Sequence, residues 1–305
     1  MSGYVNRLQT IASASILAKQ FGARLSICWI PFNLAPSPAE AIFDGGFCDE
    51  FVISEDYASD LIGLRIDEIP LYVNCSRGVA SMRGADRGEQ ALMSELSRVV
   101  EKDSPRALTI VSGGSFFQES PDFALTDFRR AKSDFYRTLP LHPDIQRVVD
   151  RTRMADPVPY LGLHLRYTDR SGQAPFDTAI RKALVSQSEM TRVTSVFVAA
   201  DSTQSRDRWI AVCHELGLSP WYVDHPSIDR EDPLSAHAAL IDWALLGNAS
   251  RLIYFSASSF ASEAAVMSGS WNESSGLDPN QLRAAYVRVS EYGQAGMRRI
   301  RKGWR

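Results

Sequence analysis

Tyr160-Leu-Gly-Leu-His164-Leu-Arg166-Tyr-Thr168-Asp-Arg170-Ser-Gly172 lies in the middle of a chain of 305 residues. Its first half, Pro159 to Leu165, reads as a buried strand, and beyond Leu165 the chain turns abruptly polar. Alternate side chains of a strand share a face. His164, Arg166 and Thr168 are therefore expected on one side, with Leu163, Leu165 and Tyr167 on the other, in packing. Open parallel sheets bind ligands at the carboxyl ends of their strands, and a guanidinium suits a bidentate grip on phosphate. An arginine and an aspartate after a strand equally suit a solvated turn, and these residues alone leave both readings open.

Outward from this stretch the pattern repeats. Strands are expected at Pro159–Arg166, Ser195–Ala200, Pro220–Val223, Arg251–Phe255 and Ala284–Val289. Helices are expected between them at Phe176–Met190, Gln204–Leu216, Pro233–Leu246 and Ser259–Met267. Strands alternating with helices of this length mean βαβ units and a parallel sheet. Right-handed crossovers put the strand C-termini on one side, so Arg166, Asp201, Asp224 and Ser256–Phe260 should converge there.

The first half alternates less regularly. Apolar positions 5, 8, 11, 12, 16 and 17 predict a helix over Val5–Gln20, ended by Gly22. Arg24–Ile30, Leu71–Cys75 and Ala107–Val111 read as strands. Gln90–Lys102, Asp122–Tyr136 and Asp144–Arg153 read as helices. Asn33–Asp56, with Pro36, Pro38, Gly45 and Gly46, reads as a loop that could line an acceptor site. Ser112-Gly-Gly-Ser115 reads as a tight turn.

Composition narrows the classes of function. Hydrophobic residues are 45% and charged residues 23% of the chain, as in a globular protein. A net charge of −3 supplies no broad basic field for nucleic acid. No run approaches the ~18 apolar residues of a membrane span, and the opening residues lack a basic segment followed by an apolar one. Cys28, Cys48, Cys75 and Cys213 form no Cys-x-x-Cys pair. They read as reduced thiols of a cytoplasmic protein. Neither Gly-x-Gly-x-x-Gly nor a Walker loop is present, which argues against a dinucleotide enzyme or a P-loop kinase.

His164-Leu-Arg166-Tyr-Thr168-Asp169-Arg170 resembles the His-x-Arg-Arg-Thr-Asp-Lys motif of GDP-fucose-dependent fucosyltransferases. That superfamily includes the bacterial Nod-factor, the eukaryotic core α1,6- and the protein O-fucosyltransferases. Gly3-Tyr-Val-Asn6-Arg7-Leu8, a helix, and a strand ending in Trp29 resemble its opening Gly-x-Gly-Asn-x-Leu unit. Val196-Phe-Val-Ala-Ala-Asp201-Ser202 resembles its second motif, and Ser256-Ala-Ser258-Ser259-Phe260 its third. Asp242 stands sixteen residues before Ser258, where the family has an aspartate that accepts from guanine N1 and N2. Three features depart from the family. Val5 and Tyr167 replace a glycine and the second arginine, and Ala174 replaces an acidic residue. The chain also opens at the Gly3 turn, so the strand that precedes it there is either absent or lies upstream of Met1.

The resemblance implies an α/β, GT-B-like architecture of two facing Rossmann-like domains with a parallel sheet in each. The expected division is 1–154 for the acceptor side, 155–290 for the nucleotide sugar, and a basic tail over 291–305. It implies a GDP-sugar donor, most simply GDP-fucose, and a glycan or small-molecule acceptor. Asn6, His164, Arg166, Thr168, Arg170, Asp201, Ser202, Asp242, Ser258, Ser259 and Phe260 would contact the donor. With no Asp-x-Asp to hold a metal, Arg166 would stabilise the departing diphosphate and no cofactor would be needed. The residues also admit plainer roles: Asn6, Asp201 and the serines as helix caps, Asp242 on a solvated helix face. Loss of the second arginine also admits a nucleotide-sugar binder without turnover. No general base is identifiable, the Asn33–Asp56 carboxylates and Glu119 being candidates only.

Overall fold

In the computed structural model the described residues are 3–31, 35–62, 74–76, 79–83, 107–117, 123–155, 159–167, 174–226 and 235–278. They form two compact units. The first is Met1–Asp156 with Asp224–Ala244, and the second is Pro157–Val223 with Leu245–Arg305.

The first unit begins with α1, Tyr4–Phe21. Tyr4, Val5, Leu8, Ile11, Ala12, Ile16 and Leu17 fill one buried stripe at helical spacing. Gly22 ends the helix in the left-handed region at φ 59°, which a glycine adopts without strain. β1 (Ile27–Cys28) pairs in parallel with β2 (Val52–Ile53). Between them lies α2, Gly45–Phe51, and after them α3, Glu55–Ile62. The expected loop over Asn33–Asp56 is thus partly helix. The cause is local: Asp44 accepts from the Phe47 N–H at 2.7 Å and caps the turn. Phe43, Phe47 and Phe51 then pack as tilted rings at four-residue spacing, with centroids 4.6 and 5.0 Å apart.

β3 (Asn74–Ser76) runs antiparallel to β4 (Val79–Arg83), and β4 runs parallel to β5 (Ala107–Val111). The described strands of this unit thus form a two-stranded parallel sheet and a three-stranded mixed one, with parallel pairing at β1–β2 and β4–β5. The helix expected at Gln90–Lys102 lies outside the described residues. α4 (Leu125–Thr138) and α5 (Pro143–Ala155) complete this stretch.

The second unit is built on β6 (Leu161–Leu165), α6 (Ala174–Thr191), β7 (Ser195–Ala200), α7 (Thr203–Glu215) and β8 (Ser219–Trp221). Helix α8, Ser235–Gly247, comes next, then β9 (Arg251–Phe255), α9 (Ser259–Ser268) and β10 (Ser275–Leu277). The strand order is β10-β9-β6-β7-β8, every neighbour parallel. That is the doubly wound arrangement, with its reversal between β6 and β9. Leu161, Leu163, Leu165, Val196, Val198, Ile253 and Phe255 form its core with Phe176, Ile180, Leu184 and Trp209. β10 has no counterpart among the expected strands, and the strand expected at Ala284–Val289 lies outside the described residues.

The segment Asp224–Ala244, expected in the second domain, clusters with the first unit, so the division falls inside α8. Trp243, fully buried, sits edge-on against Tyr136 at 5.1 Å. His237 Nε2 lies 2.8 Å from the Ala41 carbonyl oxygen.

Gly162 lets β6 lie close to its neighbours. A Cβ there would meet Leu246 Cδ2 at 3.0 Å, Ala249 Cβ at 3.1 Å and Leu252 Cγ at 3.3 Å. The Ala249 methyl cannot turn aside. Gly162→Ala is therefore expected to cost about 1–3 kcal/mol through overpacking, outweighing the smaller entropic gain of removing a glycine. A lowered urea midpoint at unchanged slope would show it.

Candidate functional site

The strand order reverses between β6 and β9, where open sheets of this kind bind their ligands, and the motif residues leave the sheet at those carboxyl ends. The β6 alternation falls as expected. His164 is 8% exposed, and its ring stacks on Phe260 across the reversal, centroids 5.1 Å apart and planes 24° from parallel. Leu163 and Leu165 are fully buried on the other face. Tyr167 joins that core, 8% exposed, edge-on to Phe255 at 6.0 Å. Its hydroxyl accepts from Trp209 Nε1 at 3.1 Å and donates to Asp177 Oδ1 at 3.2 Å. The other Asp177 oxygen holds Arg208. Burial pushes the Tyr167 phenol up, so it keeps its proton as donor.

Arg166 is half-buried between these two. Its backbone is pinned on both sides by one residue. The Asp201 N–H donates to the Leu165 carbonyl at 3.2 Å, and the Asp201 carboxylate accepts from the Tyr167 N–H at 2.8 Å. Asp201 thus staples the exit of β6 to the end of β7. The helix cap after β7 is Ser202, whose hydroxyl accepts from the Ser205 N–H at 3.2 Å and donates to Ser205 Oγ at 2.8 Å. Thr168 and Arg170 lie outside the described residues.

On the β9 side, Ser258 stands at the N-terminus of α9 and is 1% exposed. Its hydroxyl does not cap the helix, and its Oγ has no hydrogen-bond partner among the described residues. A buried polar group left so costs about 1–3 kcal/mol. The first-turn N–H groups of the same helix have no intrahelical partner. Ser259 and Phe260 open this turn, half-buried. A hydroxyl, a helix N-terminus and a guanidinium, each just past the end of one of two adjacent strands, are groups whose chemistry suits a phosphate oxygen.

In the first unit, Asn6 lies in the first turn of α1, where it does not cap the helix; the N-cap position is Gly3. A polar chain ends on it. Buried Lys132 donates to Ser115 Oγ at 2.6 Å, and Ser115 donates to Gln9 Oε1 at 3.2 Å. Gln9 Nε2 donates to Asn6 Oδ1 at 3.4 Å. This polarity turns the Asn6 amide nitrogen, a donor, away from the chain. Beside it Arg7 lies over the Trp29 ring at 4.5 Å and donates to the Ile30 carbonyl. Burial pulls its guanidinium down to about 10, still cationic at neutral pH.

Asp242 on α8 holds a partner with no signature in the sequence. His225 Nε2 lies 2.7 Å from Asp242 Oδ1, with the two side chains 6% and 16% exposed. Of the expected acidic loop residues, Asp44 is committed to capping α2, and Glu119 lies outside the described residues. Among the described residues no group of three His, Cys, Asp or Glu is placed to hold a metal. No helix among them is long and apolar enough to cross a membrane. Cys28, Cys48 and Cys213 are free thiols, and burial pushes Cys28 up to about 11 and Cys213 up to about 12.

No protein-family model matches the sequence, and no curated protein sequence matches it. Solved structures do. The NodZ α-1,6-fucosyltransferase soaked with GDP-fucose aligns over 87% of this chain and 89% of its own, at 16% identity and a TM-score of 0.52. POFUT1 in its apo form aligns over 92% and 95%, at 12% identity and 0.53. A point variant of Arabidopsis thaliana FUT1 in complex with GDP aligns over 88% of this chain and 67% of its own, at 14% identity and 0.59. The chain therefore has the GT-B-like α/β fold that these fucosyltransferases share.

Proposed function

We propose that this protein is a glycosyltransferase that moves a sugar, most simply L-fucose, from a GDP-sugar to a hydroxyl of a glycan or small molecule. The observation that carries the reading is the seat at the strand-order reversal. The uncommitted, buried Ser258 hydroxyl stands at the α9 N-terminus, just past the end of β9, and Arg166 follows the end of the neighbouring strand β6, on the fold that NodZ and POFUT1 use for GDP-fucose.

The chemistry follows from charge. The acceptor oxygen attacks the sugar C1 from the face opposite the diphosphate. The C1–O bond breaks, its electron pair passes to the β-phosphate, and the hydroxyl proton leaves to solvent. Inversion at C1 results. Arg166 faces the charge that develops on the leaving diphosphate, and Ser258, Ser259 and the α9 N–H groups share it. His164 and Phe260 wall the seat as a stacked pair. Thr168, Arg170 and Ser202 extend the donor contacts, and Asn6 presents its amide donor to donor or acceptor oxygen. Asp242 accepts from guanine N1 and N2, a pairing that uracil and adenine do not offer. The sequence has no Asp-x-Asp, so Arg166 takes the part a divalent metal plays in many glycosyltransferases. The free thiols suit a cytoplasmic protein.

Calorimetry of GDP, UDP and ADP binding without added metal tests this reading. GDP alone is expected to bind, and Arg166→Ala and Asp242→Ala should each weaken it. Equal binding of UDP, or no effect of Asp242→Ala, would remove the guanine assignment and fucose with it. A second reading rests on Tyr167, which stands buried where the resembled motif has the second of its two adjacent arginines: a GDP-sugar binder without turnover. Transfer assays with GDP-fucose separate the two.

A further inference from the structure

We infer that His225 is the positioning residue that makes Asp242 selective for guanine, an inference that rests on the guanine reading of Asp242. The pair is close and well shielded: Nε2 to Oδ1 is 2.7 Å, with the His225 side chain 6% exposed. A neutral imidazole with its proton on Nε2 donates this bond. One carboxylate oxygen is thereby fixed, and with it the rotation of the carboxylate about its last torsion, which is otherwise soft.

That torsion decides recognition. Guanine offers N1–H and N2–H side by side, and accepting both requires the two carboxylate oxygens to lie in the plane of the base. Each oxygen has two lone-pair sites, so Oδ1 can keep the His225 bond and still accept from the base. Removing the imidazole takes away one of the contacts that order the carboxylate, and whatever ordering is then left to the nucleotide is subtracted from affinity. His225 contacts Asp242 and not the reacting atoms, and it acts through the direction of that carboxylate alone. Its position supports the assignment. It comes after β8, while Asp242 lies on α8, so a histidine and a helix residue seventeen positions apart meet only because the fold brings them together.

The test is calorimetric binding of GDP, IDP and UDP to the whole chain, as wild type, His225→Leu, His225→Gln and Asp242→Ala. IDP lacks only the 2-amino group, so the GDP-to-IDP ratio reads the N2 contact directly. His225→Leu is expected to weaken GDP about tenfold, the lower end of what losing an outer-shell partner costs at metal sites. Its GDP-to-IDP ratio should fall toward one. His225→Gln places an N–H donor at similar reach and is expected to keep most of both. A His225→Leu protein with wild-type GDP affinity and ratio would overturn the inference, and so would a His225→Gln protein as impaired as His225→Leu. Pyrophosphate affinity and the thermal midpoint report whether each variant is folded. If wild type prefers GDP and Asp242→Ala abolishes that preference, the reading stands and only the His225 role is at issue. If wild type binds UDP as well as GDP, the reading itself fails, and the role of His225 with it.

Discussion

Arg166→Ala is expected to lower kcat about 10²- to 10³-fold with a smaller change in KM, because in the proposed reaction the group it removes meets charge that appears only as the bond breaks. Loss of one preorganised donor to a developing oxyanion costs about 3–4 kcal/mol in other enzymes. A shielded guanidinium on a diphosphate should be no weaker. Arg166→Lys should recover little. An ammonium carries the charge but not the planar fork that engages two oxygens at once. Steady-state kinetics with GDP-fucose measures the effect, and an unchanged kcat in Arg166→Ala would move the cationic role elsewhere. Asp201 makes a sharper comparison. It pins the backbone on both sides of Arg166, so Asp201→Ala should lower kcat in the same direction, whereas Asp201→Asn keeps an oxygen to accept the Tyr167 N–H and should lose much less.

The second unit is the more legible half, for a physical reason. Its central strands β6, β7 and β9 are largely buried and read as continuous apolar runs. Ser195–Ala200 and Arg251–Phe255 accordingly have the expected bounds, and the four helices lie within about three residues of theirs. The alternation also puts Leu163, Leu165 and Tyr167 in the core and His164 against Phe260, as expected. The features that stay hidden are set by tertiary contact. α2 is seven residues, too short for a periodic signal, and exists through Asp44 and the packed rings of Phe43, Phe47 and Phe51. β10, Ser-Gly-Leu, has no strand propensity of its own and pairs because β9 offers it an edge. Asp201 and Ser202 both read as donor contacts in the sequence, which carries no sign that one also staples two strands and the other also caps a helix. The His225–Asp242 pair and the Lys132–Ser115–Gln9–Asn6 chain have no sequence signature. Each joins residues with no fixed spacing, which only the fold makes adjacent.

Tyr167→Ala is expected to destabilise the protein by about 3–5 kcal/mol, the range for removing a large buried aromatic side chain. The ring fills the core between Phe255 and Trp209, so the deletion opens a cavity. It also strands the Trp209 N–H and one oxygen of Asp177, and each buried group left unpaired adds to the loss. Tyr167→Phe separates the two contributions: the ring stays, the hydroxyl goes, and about 1–3 kcal/mol should be lost for the Trp209 donor. Urea midpoints measure both. The informative variant is Tyr167→Arg, which restores the second arginine of the resembled motif. If the alternation governs, the guanidinium points into the core, where Asp177 is already held by Arg208. A charge buried without a free partner is strongly unfavourable, so the variant should be less stable than wild type and gain no rate. A stable Tyr167→Arg protein with raised turnover would mean that position 167 can turn to the ligand side, and that the tyrosine is a loss of catalytic charge. The expected result means instead that this chain uses one arginine at the diphosphate and commits the neighbouring position to holding it still.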